Sequence, residues 1–196
     1  MRADLEIIKQ WIEPGERVLD LGCGDGSFLA HLKEEKGIGD CGLEINPHNI
    51  NLCLEAGVNV IEQDLNKGLT NFISDSFDTV LLAQTLQTVE RPDILVEEML
   101  RIGKHCIITF PNFAYWRHRL WLLGRGYMPQ SSALPYEWYD TPNIHHCTIR
   151  DFDTLCKKRN IRILQRTVVD FNNRSSFLMN LHPNLFGINA IYHFTR

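Results

Sequence analysis

Residues 17–32 read RVLDLGCGDGSFLAHL, with glycines at Gly22, Gly24 and Gly26 and carboxylates at Asp20 and Asp25. A glycine turn between a strand and a helix frees backbone N–H groups and lets a ligand approach the main chain, the arrangement that usually cradles phosphate. The spacing, however, is G-x-G-x-G. The dinucleotide fingerprint is G-x-G-x-x-G, and Ser27 stands where its third glycine belongs. No lysine follows in the manner of a P-loop. The two carboxylates also oppose an anion, since like charges about 4 Å apart repel by about 1 kcal/mol in bulk water and by more near a protein surface. A ligand carrying an ammonium and a sulfonium centre would be attracted to the same place.

Two more acids stand at matching points further on. Glu44 closes the second expected strand, where a carboxylate can accept hydrogen bonds from both hydroxyls of a ribose. Asp64 lies just past the third, placed to accept from an adenine amino group. Alone, Glu44 would read as a solvated strand end. Acids after three successive strands favour an adenosine ligand instead, without choosing between NAD and S-adenosylmethionine. Cys23, within the glycine turn, is either a nucleophile or a small residue kept for close packing, and the second reading is preferred.

These residues need a scaffold that brings strand ends together. Apolar runs alternate with amphipathic segments along the chain, the pattern of βαβ units and a parallel sheet covered by helices on both faces. ADLEIIKQWI reads as an opening helix stopped by Pro14 and Gly15, RVLDL as the first strand and SFLAHLKEE as the helix after the glycine turn. DCGLEI is the second strand, and a helix runs from about Pro47, well placed in a first turn, to Ala56. VNVIEQDL contains the third strand, ending near Gln63, and FDTVLLAQ is the fourth. DILVEEMLRI is a helix turning Ile94, Leu95, Met99 and Ile102 inward, and HCIITF is the fifth strand, ended by Pro111. Each strand is expected to be buried on both faces. TIRDFDTLCKKRN reads as a further helix, while IRILQRTVVDF and GINAIYHFTR have strand character and suit an antiparallel pair at the sheet edge. The expected architecture is a doubly wound, Rossmann-like α/β sheet, mostly parallel with an antiparallel edge strand. It forms one domain over residues 1–196, interrupted by an aromatic-rich insertion at about residues 112–148.

Composition narrows the function class. The chain has 196 residues and a formal net charge of −4, against the basic surplus expected of a nucleic-acid binder. Charged residues interrupt the apolar runs of the N-terminus, and no stretch suits a membrane span. The six cysteines and eight histidines lack metal-ligand spacing, and the cysteines read as reduced thiols of a cytoplasmic protein. No metal and no membrane or nucleic-acid partner is expected.

On these motifs the sequence resembles the class I S-adenosylmethionine-dependent methyltransferase family. VLDLGCGDGSF matches its first motif, GLEI its second-strand acid, EQDL its third-strand acid and FDTVLLAQTLQTV its fourth-strand motif, in order, over about residues 14–112. The resemblance implies that Asp20, Gly22, Cys23 and Gly24 hold the amino-acid part of the cofactor. It implies further that Glu44 and Ile45 hold the ribose, that Asp64 and Leu65 flank adenine and that Gln84 lies near the sulfonium. The cofactor is then S-adenosylmethionine or its product S-adenosylhomocysteine. Amino-methyltransferases of this fold carry an Asn/Asp-Pro-Pro-aromatic motif after the fourth strand, whereas this chain reads AQTLQTV there. Methylation of DNA bases or glutamine is accordingly disfavoured. Methyl transfer needs positioning above all, and a base only where a proton must leave, so no catalytic residue is assigned. His145 and His146 could serve as acid or base, but capping and packing in the approach to a helix suit them better.

The insertion holds Phe113, Tyr115, Trp116, Trp121, Tyr127, Tyr136, Trp138 and Tyr139, and Phe113, Trp116, Leu120 and Leu123 fall on one helical face. About half of these rings are expected in the core, the others covering substrate or facing a partner. With LDLGCGDG, FPNFAYWRHRLWLLGRGYMP and LPYEWYDTPNIHHCTIRDF, the chain resembles the MetW family of methionine biosynthesis proteins over nearly its whole length. This implies a partner, the homoserine O-acyltransferase MetX, with the chain as its accessory or activating subunit. S-adenosylmethionine, a downstream metabolite, would report the state of the pathway. The alternative is an active methyltransferase on a small-molecule acceptor. An NAD-dependent oxidoreductase is a third reading, weakened by the glycine spacing.

Overall fold

The computed structural model describes residues 3–170 and 174–196. Helix α1 (Ala3–Trp11) leads into β1 (Arg17–Leu21), α2 (Ser27–Lys36), β2 (Gly39–Glu44), α3 (Pro47–Glu55), β3 (Val60–Glu62) and β4 (Phe77–Ala83). Then come α4 (Pro92–Ile102), β5 (Gly103–Pro111), α5 (Trp116–Arg125), α6 (Ile149–Lys158) and β6 (Arg162–Val169). Two short helices, α7 (Phe177–Leu181) and α8 (Pro183–Phe186), precede the last strand, β7 (Asn189–Thr195). The strands form one sheet in the order β3-β2-β1-β4-β5-β7-β6. β1 to β5 are parallel, and β7 runs antiparallel between β5 and β6.

Alternate residues of the central strands feed two separate cores, as the two-residue period of a strand requires. Leu19, Leu21, Val80, Leu82, Ile108 and Phe110 pack with Met99 of α4 and Phe152 of α6. Val18, Leu81 and Ile107 point the other way, to Ile8 of α1, Leu29 and Leu32 of α2 and Cys53 of α3. The doubly wound expectation therefore holds, with helices against both faces and an antiparallel pair at one edge.

Local signals explain most boundaries. Gly37 ends α2 in the left-handed conformation, and Asn46 caps α3 by accepting from the His48 N–H, with Pro47 in the first turn. Thr148 and Asp151 form a capping box at the start of α6. Several expectations need correction. β3 is a three-residue edge strand, not one buried on both faces: Ile61 and Glu62 are exposed. Ile94 is exposed rather than turned inward, because it lies in the first turn of α4 while Leu95, Met99 and Ile102 carry the buried stripe. α7 and α8 were not foreseen, since helices this short carry no periodic signal. The expected end of the sixth strand at Phe171 lies outside the described residues.

The insertion folds only partly as its pattern suggested. α5 begins at Trp116, so Phe113 precedes it, and Leu120 and Leu123 face solvent. Tyr115 is buried and Tyr127, Tyr136, Trp138 and Tyr139 are exposed.

Candidate functional site

The chain runs from β1 outward through β2 to β3, then returns to place β4 on the other side of β1. The carboxyl ends of β1 and β4 therefore flank the point where strand order reverses, which is where open α/β sheets hold ligands. A cavity of about 320 Å³ opens there, lined among others by Gly22, Glu44, Ile45, Asp64 and Leu65. Its size suits a small organic ligand.

Glycine builds one wall. Gly22 has φ 78°, and a Cβ there would lie 2.9 Å from the Thr85 Oγ1 atom, so the turn after β1 lies directly against the turn after β4. The N–H groups of Gly22 and Cys23 donate to the Leu43 carbonyl at 2.8 and 3.0 Å, tying the turn to the end of β2. The strongest clamp is Glu44. Its carboxylate accepts from the Gly24 N–H at 2.9 Å, the Ile45 N–H at 2.8 Å and the Asn46 N–H at 2.9 Å. A carboxylate has about four lone-pair sites, so three are engaged before any ligand arrives. The acid is as much a brace for the glycine turn as a group awaiting a ribose.

The other nominated residues fall at different distances from the cavity. Asp64 lines it while capping a 3₁₀ turn, its Oδ1 accepting from the Asn66 N–H at 2.9 Å. Ile45 is more than half exposed and offers an apolar surface beside Leu65. Asp20, Cys23, Gly24 and Gln84 are not among the residues that line it. Asp20 is buried at the end of β1. Cys23 is buried with its Sγ 3.7 Å from the Sγ of Cys53, and burial, then the neighbouring Asp20, pushes its thiol well above the ordinary range. Such a thiol stays protonated and is a poor nucleophile. Asp25 remains ionised, its carboxyl drawn down by hydrogen bonds from Ser27.

Gln84 takes a left-handed backbone, φ 59°, with its N–H held by the Thr109 carbonyl and hydroxyl at 3.0 Å each. Its side-chain Nε2 is buried without a hydrogen-bond partner among the described residues. Sequence reasoning missed Gln63, Asn66, Thr85, Thr88 and Val89, which also line the cavity. The segment AQTLQTV belongs to the fourth-strand motif and supplies Gln84, but its threonines carry no signal of their own in the sequence. A tight 3₁₀ turn follows, within which the Thr88 hydroxyl donates to the Thr85 carbonyl at 2.9 Å, and Thr85, Thr88 and Val89 line the cavity from it.

His145 and His146 do not line the cavity. A His145 ring nitrogen meets the Glu90 carbonyl at 3.1 Å. His146 stacks on Phe113 with centroids 4.8 Å apart, and burial, then His145, holds it below its ordinary value. Among the described residues no cluster of three or more His, Cys, Asp or Glu is placed to hold a metal ion, and no helix is long and apolar enough to cross a membrane.

Sheet order, switch point and cavity define a class I S-adenosylmethionine-dependent methyltransferase fold, and solved structures agree. A methyltransferase of this kind from Mesorhizobium loti covers 99% of this chain and 98% of its own at TM-score 0.72 and 20% identity. Magnesium protoporphyrin IX methyltransferase from Synechocystis PCC 6803, solved with bound SAH, covers 100% and 83% at TM-score 0.69 and 15% identity. At these identities the likeness is one of fold. Residues 2–194 match the family described as methionine biosynthesis protein MetW, and the chain belongs to that family. A bifunctional methionine biosynthesis protein MetXA/MetW from Rhodopirellula baltica is 36% identical over 205 residues, covering 100% of this chain and 33% of that protein. The chain thus spans about a third of that relative's length.

Proposed function

We propose that this protein is an accessory, activating subunit of homoserine O-acylation that binds S-adenosylmethionine in the cavity beside Gly22 and Glu44. The observation that carries the reading is the relative whose single polypeptide joins MetXA to MetW, since fusion keeps cooperating chains at high local concentration. The site supports the ligand. Its glycine turn admits a close-lying molecule, and its acids favour a cation over a pyrophosphate. In this reading Asp20, Gly22, Cys23 and Gly24 face the amino-acid end of the cofactor, directly or through the turn. Glu44 and Ile45 serve the ribose, Asp64 and Leu65 the adenine, and Gln84 the sulfonium side. The bound cofactor is a methyl donor, yet as a pathway product it would act by reporting abundance. A cytoplasmic location accompanies this proposal.

The test is to mix the purified chain with homoserine O-acyltransferase. Co-purification and a rise in acylation rate, altered by S-adenosylmethionine, are expected; unchanged acylation at saturating chain overturns the reading. The second reading, a small-molecule methyltransferase, draws on the methyltransferases that share the fold. It requires release of S-adenosylhomocysteine in the presence of cell metabolites. Calorimetric titration with S-adenosylmethionine, S-adenosylhomocysteine and NAD separates both readings from the oxidoreductase one.

A further inference from the structure

A second cavity, of about 360 Å³, lies at the β6 edge of the sheet and shares no lining residue with the first. Its walls come from α5, α6, β6 and the α7–α8 corner, and they hold three arginines, Arg119, Arg150 and Arg166, against one acid, Asp153. That acid is already committed: Oδ2 accepts from Arg166 at 2.8 Å and Oδ1 from the Tyr192 hydroxyl at 2.8 Å. Among the described residues, neither Arg119 nor Arg150 is paired with a carboxylate. In a chain of net charge −4, this is a local surplus of positive charge inside a concavity.

Two of the three arginines are held by the fold, Arg166 by Asp153 and Arg119 by backbone carbonyls. Arg119 donates from Nε to the Ala114 carbonyl at 2.6 Å and from Nη2 to the Asn184 carbonyl at 3.3 Å. The Asn184 side chain accepts from the Arg150 N–H at 3.3 Å, so one residue joins the two arginine-bearing walls. The Arg150 guanidinium is exposed and makes no hydrogen bond or ion pair in the described structure. A guanidinium presents a planar fork of donors matched to carboxylate and phosphate oxygens; the fixed fork of Arg119 loses less freedom on binding, and the open fork of Arg150 has all its donors to offer. Apolar side chains, Ile149, Leu181 and Leu185, line part of the remainder, beside His182 and Pro183. The volume lies at the low end for small-molecule sites.

We infer that this cavity binds a small organic oxyanion, a dicarboxylate or a phosphate ester with a short aliphatic body. Arg150 and Arg119 take the anionic groups, and the apolar wall takes the body.

The test is calorimetric titration of the full chain at low ionic strength with glutarate, glycerol 3-phosphate and inorganic phosphate, and with glutaramide as the neutral counterpart of glutarate. Saturable binding of glutarate identifies a carboxylate site, and binding of glycerol 3-phosphate a phosphate site; glutaramide is expected not to bind. Arg150→Ala is expected to weaken the bound probe about tenfold, and Arg150→Glu to abolish it, by loss and then reversal of a charge-assisted contact. Because this side chain is exposed and makes no hydrogen bond or ion pair among the described residues, both variants are expected to melt like the wild type. Absence of saturable binding by every organic probe overturns the inference. So does equal affinity in wild type and both Arg150 variants, or binding of glutaramide as tight as that of glutarate.

Discussion

At the scale of single residues, Glu44 is where expectation and geometry diverge most usefully. Its position at the end of β2 was plain from the sequence, and so was its suitability for ribose hydroxyls. What no sequence displays is that the same carboxylate accepts from the backbone of Gly24, in the turn after β1, as well as from Ile45 and Asn46. Hydrogen bonds to a charged acceptor contribute about 1.5–3 kcal/mol each where the donor is otherwise unsatisfied. Glu44→Ala is therefore expected to lower the melting temperature of the free chain and to weaken any adenosine ligand by about 1.5–3 kcal/mol. Glu44→Gln tells the two roles apart. Its amide keeps one oxygen for Ile45 and Asn46 but turns an NH₂ toward Gly24 or the ligand. Differential scanning calorimetry with and without S-adenosylmethionine reads both quantities. Full affinity in Glu44→Ala would remove the residue from the site, whatever its effect on stability.

At the scale of elements, the turn after β1 depends on what α3 places beneath it. Gly26 has φ 73°, and a Cβ there would stand 2.8 Å from the Cys53 sulfur and 3.2 Å from the Cys53 Cα. The sulfur could rotate, but the Cα belongs to the α3 backbone and cannot. Gly26→Ala thus combines left-handed strain with displacement of α3, and is expected to destabilise the chain by about 1–3 kcal/mol in urea unfolding. Gly24→Ala has the same backbone conformation, φ 59°, with no atom within 4 Å of the added Cβ, and should cost less. Equal losses would show that backbone strain alone matters. This contrast also explains what the sequence could and could not disclose. β1, β2, β4 and the helices between them were legible because each is a buried run or an amphipathic stripe bounded by glycine, proline or a cap. The acids at the strand ends were legible because they stand at fixed offsets from those elements. Thr85, Thr88 and Asn66 were not, because they act from tight turns whose place in the cavity depends on strand order. The exposed side of α5 was misjudged for a related reason: its apolar period is genuine, yet whether another layer covers that face is a tertiary fact.

At the scale of the whole molecule, β7 enters between β5 and β6, and this places His193 of β7 beside His105 of β5, under Trp11 of α1. The His193 ring stacks on Trp11 with centroids 5.6 Å apart, meets His105 at 5.2 Å, and leaves both ring nitrogens buried without hydrogen-bond partners among the described residues. Burial, then the proximity of His105, lowers its pKa from 6.5 to about 4. Between those values the unfolded chain binds a proton that the folded chain refuses, so folding stability falls as pH drops from 6.5 towards 4. Above 6.5 both states are neutral at this site and it contributes no slope; well below 4 both are charged and the slope vanishes again. His193→Phe keeps a flat ring against Trp11 and removes the titration. It is expected to match or exceed wild-type stability at pH 7, because two unpartnered polar atoms leave the interior. Its advantage should then widen steadily as the pH is lowered through the same window. Urea unfolding at pH 7.5, 6, 5 and 4.5, on both proteins, gives the two curves. Parallel curves would mean that His193 is not the group whose neutrality the packing of α1 on the sheet requires.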